Sequence, residues 1–192
     1  MAFLSKNNCD STSHPLPTIR NAKDRDISEI ATTIISSFYN NSGIFVWLYP
    51  LLKFTVSEDL RYRLGSSVPL YQCLVATLTD KNAEPFVVGT IEVSLKVSFW
   101  SPNPQYPYIS NLAVKNAYRR QGIGKCLLTR CEELAYSWGY DGIQLHVLES
   151  NNSARQLYKK NGYRIIKKET YWNGFFNPSS TRLLLRKKLS ES

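Results

Sequence analysis

Arg119-Arg120-Gln121-Gly122-Ile123-Gly124 is the stretch of this chain whose residue types and spacing most directly suggest chemistry. Glycines let the backbone approach a ligand closely, and where such a turn opens a helix its unpaired N–H groups attract a phosphate. The arginines add positive charge. The turn has neither the third glycine of a dinucleotide fingerprint nor the Gly-Lys-Ser/Thr ending of a P-loop, so a tight turn with solvated arginines is the competing reading. Metal and thiol chemistry find less support. Cysteines 9, 73, 126 and 131 form no Cys-x-x-Cys pair, and His14 and His146 are the only histidines, so no metal-ligand spacing occurs. Neither Cys126 nor Cys131 has a base within readable reach, and buried or free thiols in a reducing compartment are expected.

For the turn to bind anything, a strand and a helix must hold it. Tyr108 to Val114 reads as the strand, after a three-proline loop at 101–107. From about Gly122 to Trp138, Ile123, Leu127, Leu128, Cys131, Leu134, Ala135 and Trp138 form one apolar helical stripe. Upstream lie a short strand at Thr18-Ile19-Arg20 and a helix entered through Asp24 and Asp26, with Ile27, Ile30, Ala31, Ile34, Ile35 and Phe38 at three- and four-residue steps. A second helical piece covers 44–64, its Trp47, Tyr49 and Phe54 read as packing residues. Two antiparallel strands follow at 71–78 and 86–99. Downstream come a strand at 143–148, a helix from Asn152 to Lys160 stopped by Asn161-Gly162, and strands at 163–170 and 181–189. The order predicts one mixed α/β domain, 18–192, behind a polar tail at 1–17.

The whole chain is 192 residues, 43% apolar and 12% aromatic, which supports a single well-filled core and excludes disorder or a disulfide miniprotein. No apolar run reaches the roughly 18 to 20 residues of a membrane span, so no membrane partner is expected. The net charge of +9 first raises nucleic acid as a partner. Residues 113–192 carry 15 basic against 6 acidic side chains, which is the entire excess. That confinement to the part bearing the phosphate turn favours a small polyanion and makes nucleic acid unexpected. The clusters Arg186-Lys187-Lys188 and Lys167-Lys168 are left over.

The company of the turn resembles the GNAT superfamily of N-acetyltransferases. Arg119-x-x-Gly122-x-Gly124 matches that family's Arg/Gln-x-x-Gly-x-Gly/Ala signature, and Ile109-Ser-Asn-Leu-Ala-Val114 is similar to its preceding strand. Asn151-Asn152-Ser-Ala154-Arg-x-Leu157-Tyr158-Lys-x-x-Gly162-Tyr163 resembles its downstream segment. The nearest likeness is to ribosomal-protein-type N-terminal and plastid or cyanobacterial protein acetyltransferases. The resemblance implies a GNAT fold: a mostly antiparallel sheet of about seven strands with a central splay, flanked by about four helices.

It also implies acetyl-CoA as co-substrate, no metal, and direct attack of a primary amine on the thioester. Leu112, Ala113 and Val114 would hold the pantetheine arm, the Val114 N–H stabilising the oxyanion. The pyrophosphate would rest on Arg119, Arg120, Gln121, Gly122, Ile123, Gly124 and Lys125, mostly through backbone N–H groups. Asn151 corresponds to an asparagine beside the cofactor, with helix capping as its other reading and Asn152 as the alternative cap. Tyr158 corresponds to the tyrosine that protonates the CoA thiolate, or else it simply packs on a short helix. Where N-terminal acetyltransferases carry a glutamate five residues ahead of that asparagine, this chain has His146, which at a pKa near 6.5 serves as a base or sits as a satisfied core residue. Glu92 and Glu149 are further candidate bases, or ordinary carboxylates.

Acceptor choice in the family falls to segments that here are unusually aromatic, 38–54, 100–108 and 171–178. A protein or peptide amine, an N-terminal α-amine or a lysine ε-amine, is the first expectation and a small aromatic amine the second. A non-catalytic acyl-CoA-binding sensor is the reading from another class. The expected setting is a cytoplasmic monomer or homodimer, with the plastid stroma as the alternative, since the Ser- and Asn-containing start is compatible with a targeting remnant.

Overall fold

The computed structural model describes residues 17–38, 45–65, 70–79, 84–97, 105–171 and 180–190. Residues 1–16 of the expected tail at 1–17, and parts of the expected aromatic segments 38–54, 100–108 and 171–178, lie outside the described residues. The strands are β1 (Thr18–Asn21), β2 (Tyr71–Leu78), β3 (Phe86–Val97), β4 (Gln105–Val114), β5 (Gly142–Leu148), β6 (Arg164–Tyr171) and β7 (Ser180–Lys188), with β2 and β3 buried in nearly continuous runs because helices cover both their faces. They form one seven-stranded sheet in the order β1-β2-β3-β4-β5-β7-β6.

Helices cover both faces. On one side, α1 (Ile27–Phe38) and α2 (Phe45–Gly65) bury Ile27, Ile30, Ala31, Ile34 and Leu60 against Cys73, Val75, Val87 and Ala113. Asp26 sets the entry to α1, its carboxylate accepting from Arg20 at 2.6 and 2.9 Å and from the Lys23 N–H at 2.8 Å. On the other side, α3 (Ile123–Ser137) and α4 (Asn152–Lys160) bury Ile123, Leu127, Leu128, Cys131 and Tyr158 against Ile91, Ile109, Ile143, Leu145 and Val147. Each such aliphatic side chain contributes about 1.5–3 kcal/mol when fully buried, so α3 is anchored along its whole stripe.

Every pairing is antiparallel except that of β4 with β5, which meet in parallel at Tyr108↔Gln144 and Ile109↔Leu145 and nowhere beyond. From Ser110 onward β4 keeps β3 and leaves β5. A bulge between Thr90 and Glu92 and a left-handed Asn111, φ 52°, mark where the strand bends away.

Three expectations are corrected. Residues 105–107 are strand, not loop, and Pro107 is accommodated because β4 is paired there on the β3 side alone, opposite Leu95. Phe54 is 64% exposed instead of packed, because α2 presents one flank to solvent. Cys73 and Cys131 are buried free thiols as expected, but Cys126 is disulfide-bonded. No described helix is long and apolar enough to cross a membrane.

Candidate functional site

A cleft of about 570 Å³ opens where β4 leaves β5, between the start of α3 and one face of α4. Leu112, Ala113 and Val114 form one wall, Arg119, Arg120, Gly122, Ile123, Gly124 and Lys125 the floor, and Asn151 and Tyr158 the opposite wall. The structure thus gathers nearly all the residues expected to meet a cofactor. Gln121 is the exception: its side chain turns back to the Ala117 carbonyl at 3.4 Å.

The floor is a backbone cradle. Arg120 and Gly122 both have left-handed φ, 66° and 81°, and Gly122 is the N-cap of α3. The first helical bond runs from Cys126 N–H to Gly122 C=O, 3.1 Å, so the N–H groups before it have no carbonyl within the helix. Successive N–H groups on a chain of alternating hand form an anion-binding concavity, and the 15-residue helix adds its dipole. Gly89 lets this helix end sit close to the sheet: a Cβ there would lie 3.2 Å from Ile123, Leu127 and the Ala113 carbonyl. Arg119 braces the floor to the wall, donating from Nε to the Val114 carbonyl at 3.0 Å. Lys160 joins Arg119, Arg120 and Lys125 around the mouth. A strand edge without a partner, a cradle of N–H groups and four cations suit a pantetheine arm ending in phosphates.

On the second wall, Asn151 is itself the α4 cap, accepting from the Ala154 N–H at 3.1 Å, and it lines the cleft as well. The alternative cap, Asn152, instead begins the helix. Tyr158 is 7% exposed, and burial, with the nearby Tyr108 adding to it, pushes its phenol up to about 12. It therefore keeps its proton at neutral pH and has an O–H to donate.

The candidate bases stand elsewhere. Alternation along β5 sends Ile143, Leu145 and Val147 into the α3 core and His146 to the opposite face of the sheet. There its Nδ1 lies 2.8 Å from the Tyr108 hydroxyl and its Nε2 3.2 Å from a Glu169 oxygen. Burial lowers the His146 pKa, Arg182 lowers it further, and Glu169 opposes them, so the ring is neutral at pH 7. Tyr108, raised by burial, is near enough to Tyr158 to influence it electrostatically. The two phenols belong to opposite sides of the sheet, Tyr158 on α4 with the α3 core and Tyr108 with His146 on the other face.

Glu92 has no exposure, and Arg63, the Tyr71 hydroxyl at 3.0 Å and the Asn111 amide at 2.8 Å occupy its carboxylate. It does not line the cleft, and its Asn111 bond holds the left-handed residue at the bend of β4. Glu149 pairs with Lys168 at 2.8 Å, which lowers its pKa. Members of the leftover basic clusters are also paired: Lys187 with Glu132, Lys167 with Glu169 and Arg186 with Asp141, at 2.6, 2.7 and 3.8 Å. Among the described residues no cluster of three or more His, Cys, Asp or Glu side chains could hold a metal.

Tyr108, Glu169 and Gly89 escaped sequence reasoning. Tyr108 is an ordinary strand residue by pattern, and Glu169 sits 23 positions from its histidine. The two-residue register of β4 and β5 that brings Tyr108 to His146 has no local signal in the sequence.

The family model described as "Acetyltransferase (GNAT) family" matches residues 30–163. GCN5-related N-acetyltransferase 10, chloroplastic, of Arabidopsis thaliana is 28% identical over 181 residues, covering 88% of this chain and 71% of that protein. Thialysine N-epsilon-acetyltransferase of Bos taurus is 32% identical over 121 residues, 62% of this chain and 70% of that one. In fold, the chain is similar to Arabidopsis thaliana NAA60 solved with a bisubstrate analogue, TM-score 0.69 at 18% identity over 91% of this chain and 99% of that one. The phosphate cradle, the splayed strand and these likenesses converge: the chain belongs to the GNAT family and is an acetyl-CoA-dependent N-acetyltransferase.

Proposed function

We propose that the chain acetylates a protein amine, an N-terminal α-amine or a lysine ε-amine, with Tyr158 as acid and Tyr108–His146 as the route for the amine's proton. The observation that carries the reading is the pair of phenols beside the splay, one protonated at neutral pH in the cleft wall and the other bonded at 2.8 Å to a neutral imidazole. Alkyl ammonium groups have pKa values near 8 to 10.4, so an acceptor must shed a proton before it attacks. Tyr108 passes its proton to His146 Nδ1 as its oxygen takes one from the ammonium. The amine lone pair then forms the C–N bond, the C–S bond breaks, the departing thiolate takes the Tyr158 proton, and the second proton shed by nitrogen as the amide forms restores the phenol. Acetyl-CoA, when bound, supplies the activated acetyl group. Leu112 to Val114 hold its arm by backbone hydrogen bonds, and the cradle at 119–125, with Asn151 beside it, holds its phosphates.

A protein acceptor is supported by the fold likeness to NAA60, and an ε-amine by the thialysine relative. The chloroplastic relatives support a plastid stroma setting. Incubating the protein with acetyl-CoA and a peptide library beside lysine, thialysine and arylalkylamine panels tests the reading. Acetylated peptides are expected, and turnover confined to free small amines would overturn it.

A further inference from the structure

Glu169 stands at the end of a chain of three groups from three strands: Tyr108 on β4, His146 on β5 and Glu169 on β6. A neutral imidazole has one N–H and one acceptor nitrogen, and a carboxylate can only accept. With Glu169 Oε2 3.2 Å from Nε2, the proton belongs on Nε2, which leaves Nδ1 as the lone pair facing the Tyr108 hydroxyl at 2.8 Å. Lys167, 2.7 Å from the other carboxylate oxygen, holds Glu169 in place from the opposite side. The ring is thus held in the one tautomer that can take a proton from Tyr108. We infer that Glu169 is a positioning residue of the transferase, fixing the tautomer of His146 and balancing the imidazolium that forms when the amine's proton arrives. This rests on the Tyr108–His146 route proposed above.

The balance is simple. The ammonium loses one proton and His146 gains one at Nδ1. The resulting cation keeps its Nε2–H bond to Glu169, and the proton leaves to water after transfer. The charges that act on the ring come from β3, β6 and β7: Glu169 on β6 favours the imidazolium, while Arg182 on β7 and Lys96 on β3 oppose it. Lys96 lies 3.6 Å above the Tyr108 ring, so without Glu169 both neighbours of His146 would resist the incoming charge.

The chain has two histidines, so a His14→Gln background leaves one imidazole for nitrogen NMR. The expected result is an Nε2–H tautomer with Glu169 intact and a mixed or Nδ1–H population in Glu169→Gln. In kinetics, Glu169→Gln is expected to lower kcat about tenfold with acetyl-CoA KM unchanged, and to move the acid limb of the pH profile to lower pH, because the carboxylate supports the imidazolium. In a His146→Ala background the same substitution should change nothing further. An unchanged tautomer and an unmoved acid limb, or equal losses in both backgrounds, would overturn the role of Glu169 while leaving the base reading standing. A His146→Ala variant with wild-type kcat and pH profile would sink the base reading itself, and Glu169 with it.

Discussion

The proposed cofactor cleft is made largely of two short runs of backbone, residues 112–114 and 119–125, whereas the proposed proton route is made of side chains from separate strands, Tyr108, His146 and Glu169. A backbone cradle needs small residues and a helix start, and it tolerates a range of side chains around it. A side-chain relay depends on the register of strands that meet at only two positions. The first rests on local backbone geometry alone. The second can vary with the acceptor.

Substitutions at the meeting point of the two regions should show the largest effects. Tyr158→Phe removes the proposed acid and is expected to lower kcat about a hundredfold or more at nearly unchanged acetyl-CoA KM, measured by steady-state thiol release. Full activity would end its role as donor. On the acceptor side, His146→Gln should lower kcat by about ten- to a hundredfold and abolish the acid limb. Because burial and Arg182 hold the folded His146 pKa below its ordinary value, the wild-type rate should decline only as pH falls below about 6.5. The linked stability has the same sign: it is full above the unfolded pKa and fades as pH drops through the lower folded one. A rate that is flat through this range would contradict the base.

Gly122→Val probes the cleft alone. A branched residue at φ 81° costs about 1–2 kcal/mol, so acetyl-CoA KM should rise roughly tenfold with kcat largely kept. The reverse pattern would show that the turn acts on chemistry instead of binding. Glu92→Gln separates support from catalysis. Loss of the buried pair with Arg63 should cost about 2 kcal/mol and lower Tm by about 4–8 °C in thermal denaturation. A large fall in kcat at wild-type Tm would instead restore Glu92 as a base. At the bottom of the scale, Arg61→Ala breaks an exposed pair with Glu58 on α2 and should change stability by less than about 0.5 kcal/mol.

The sequence alone determined the strand-turn-helix unit at 108–138, because Gly122, Gly124 and the stripe from Ile123 to Ala135 state their geometry within a few residues. It also determined the helix carrying Tyr158, through Asn151 at its start and Asn161-Gly162 at its end. The tertiary structure decided which groups stand opposite that tyrosine. It enclosed Glu92 under Arg63, gave Glu149 to Lys168, and left His146 with Tyr108 and Glu169. Local pattern records the period of a chain segment, but strand order and register set which faces meet. Tyr108 and His146 lie 38 residues apart and become neighbours only because β4 and β5 run parallel for two residues before they part.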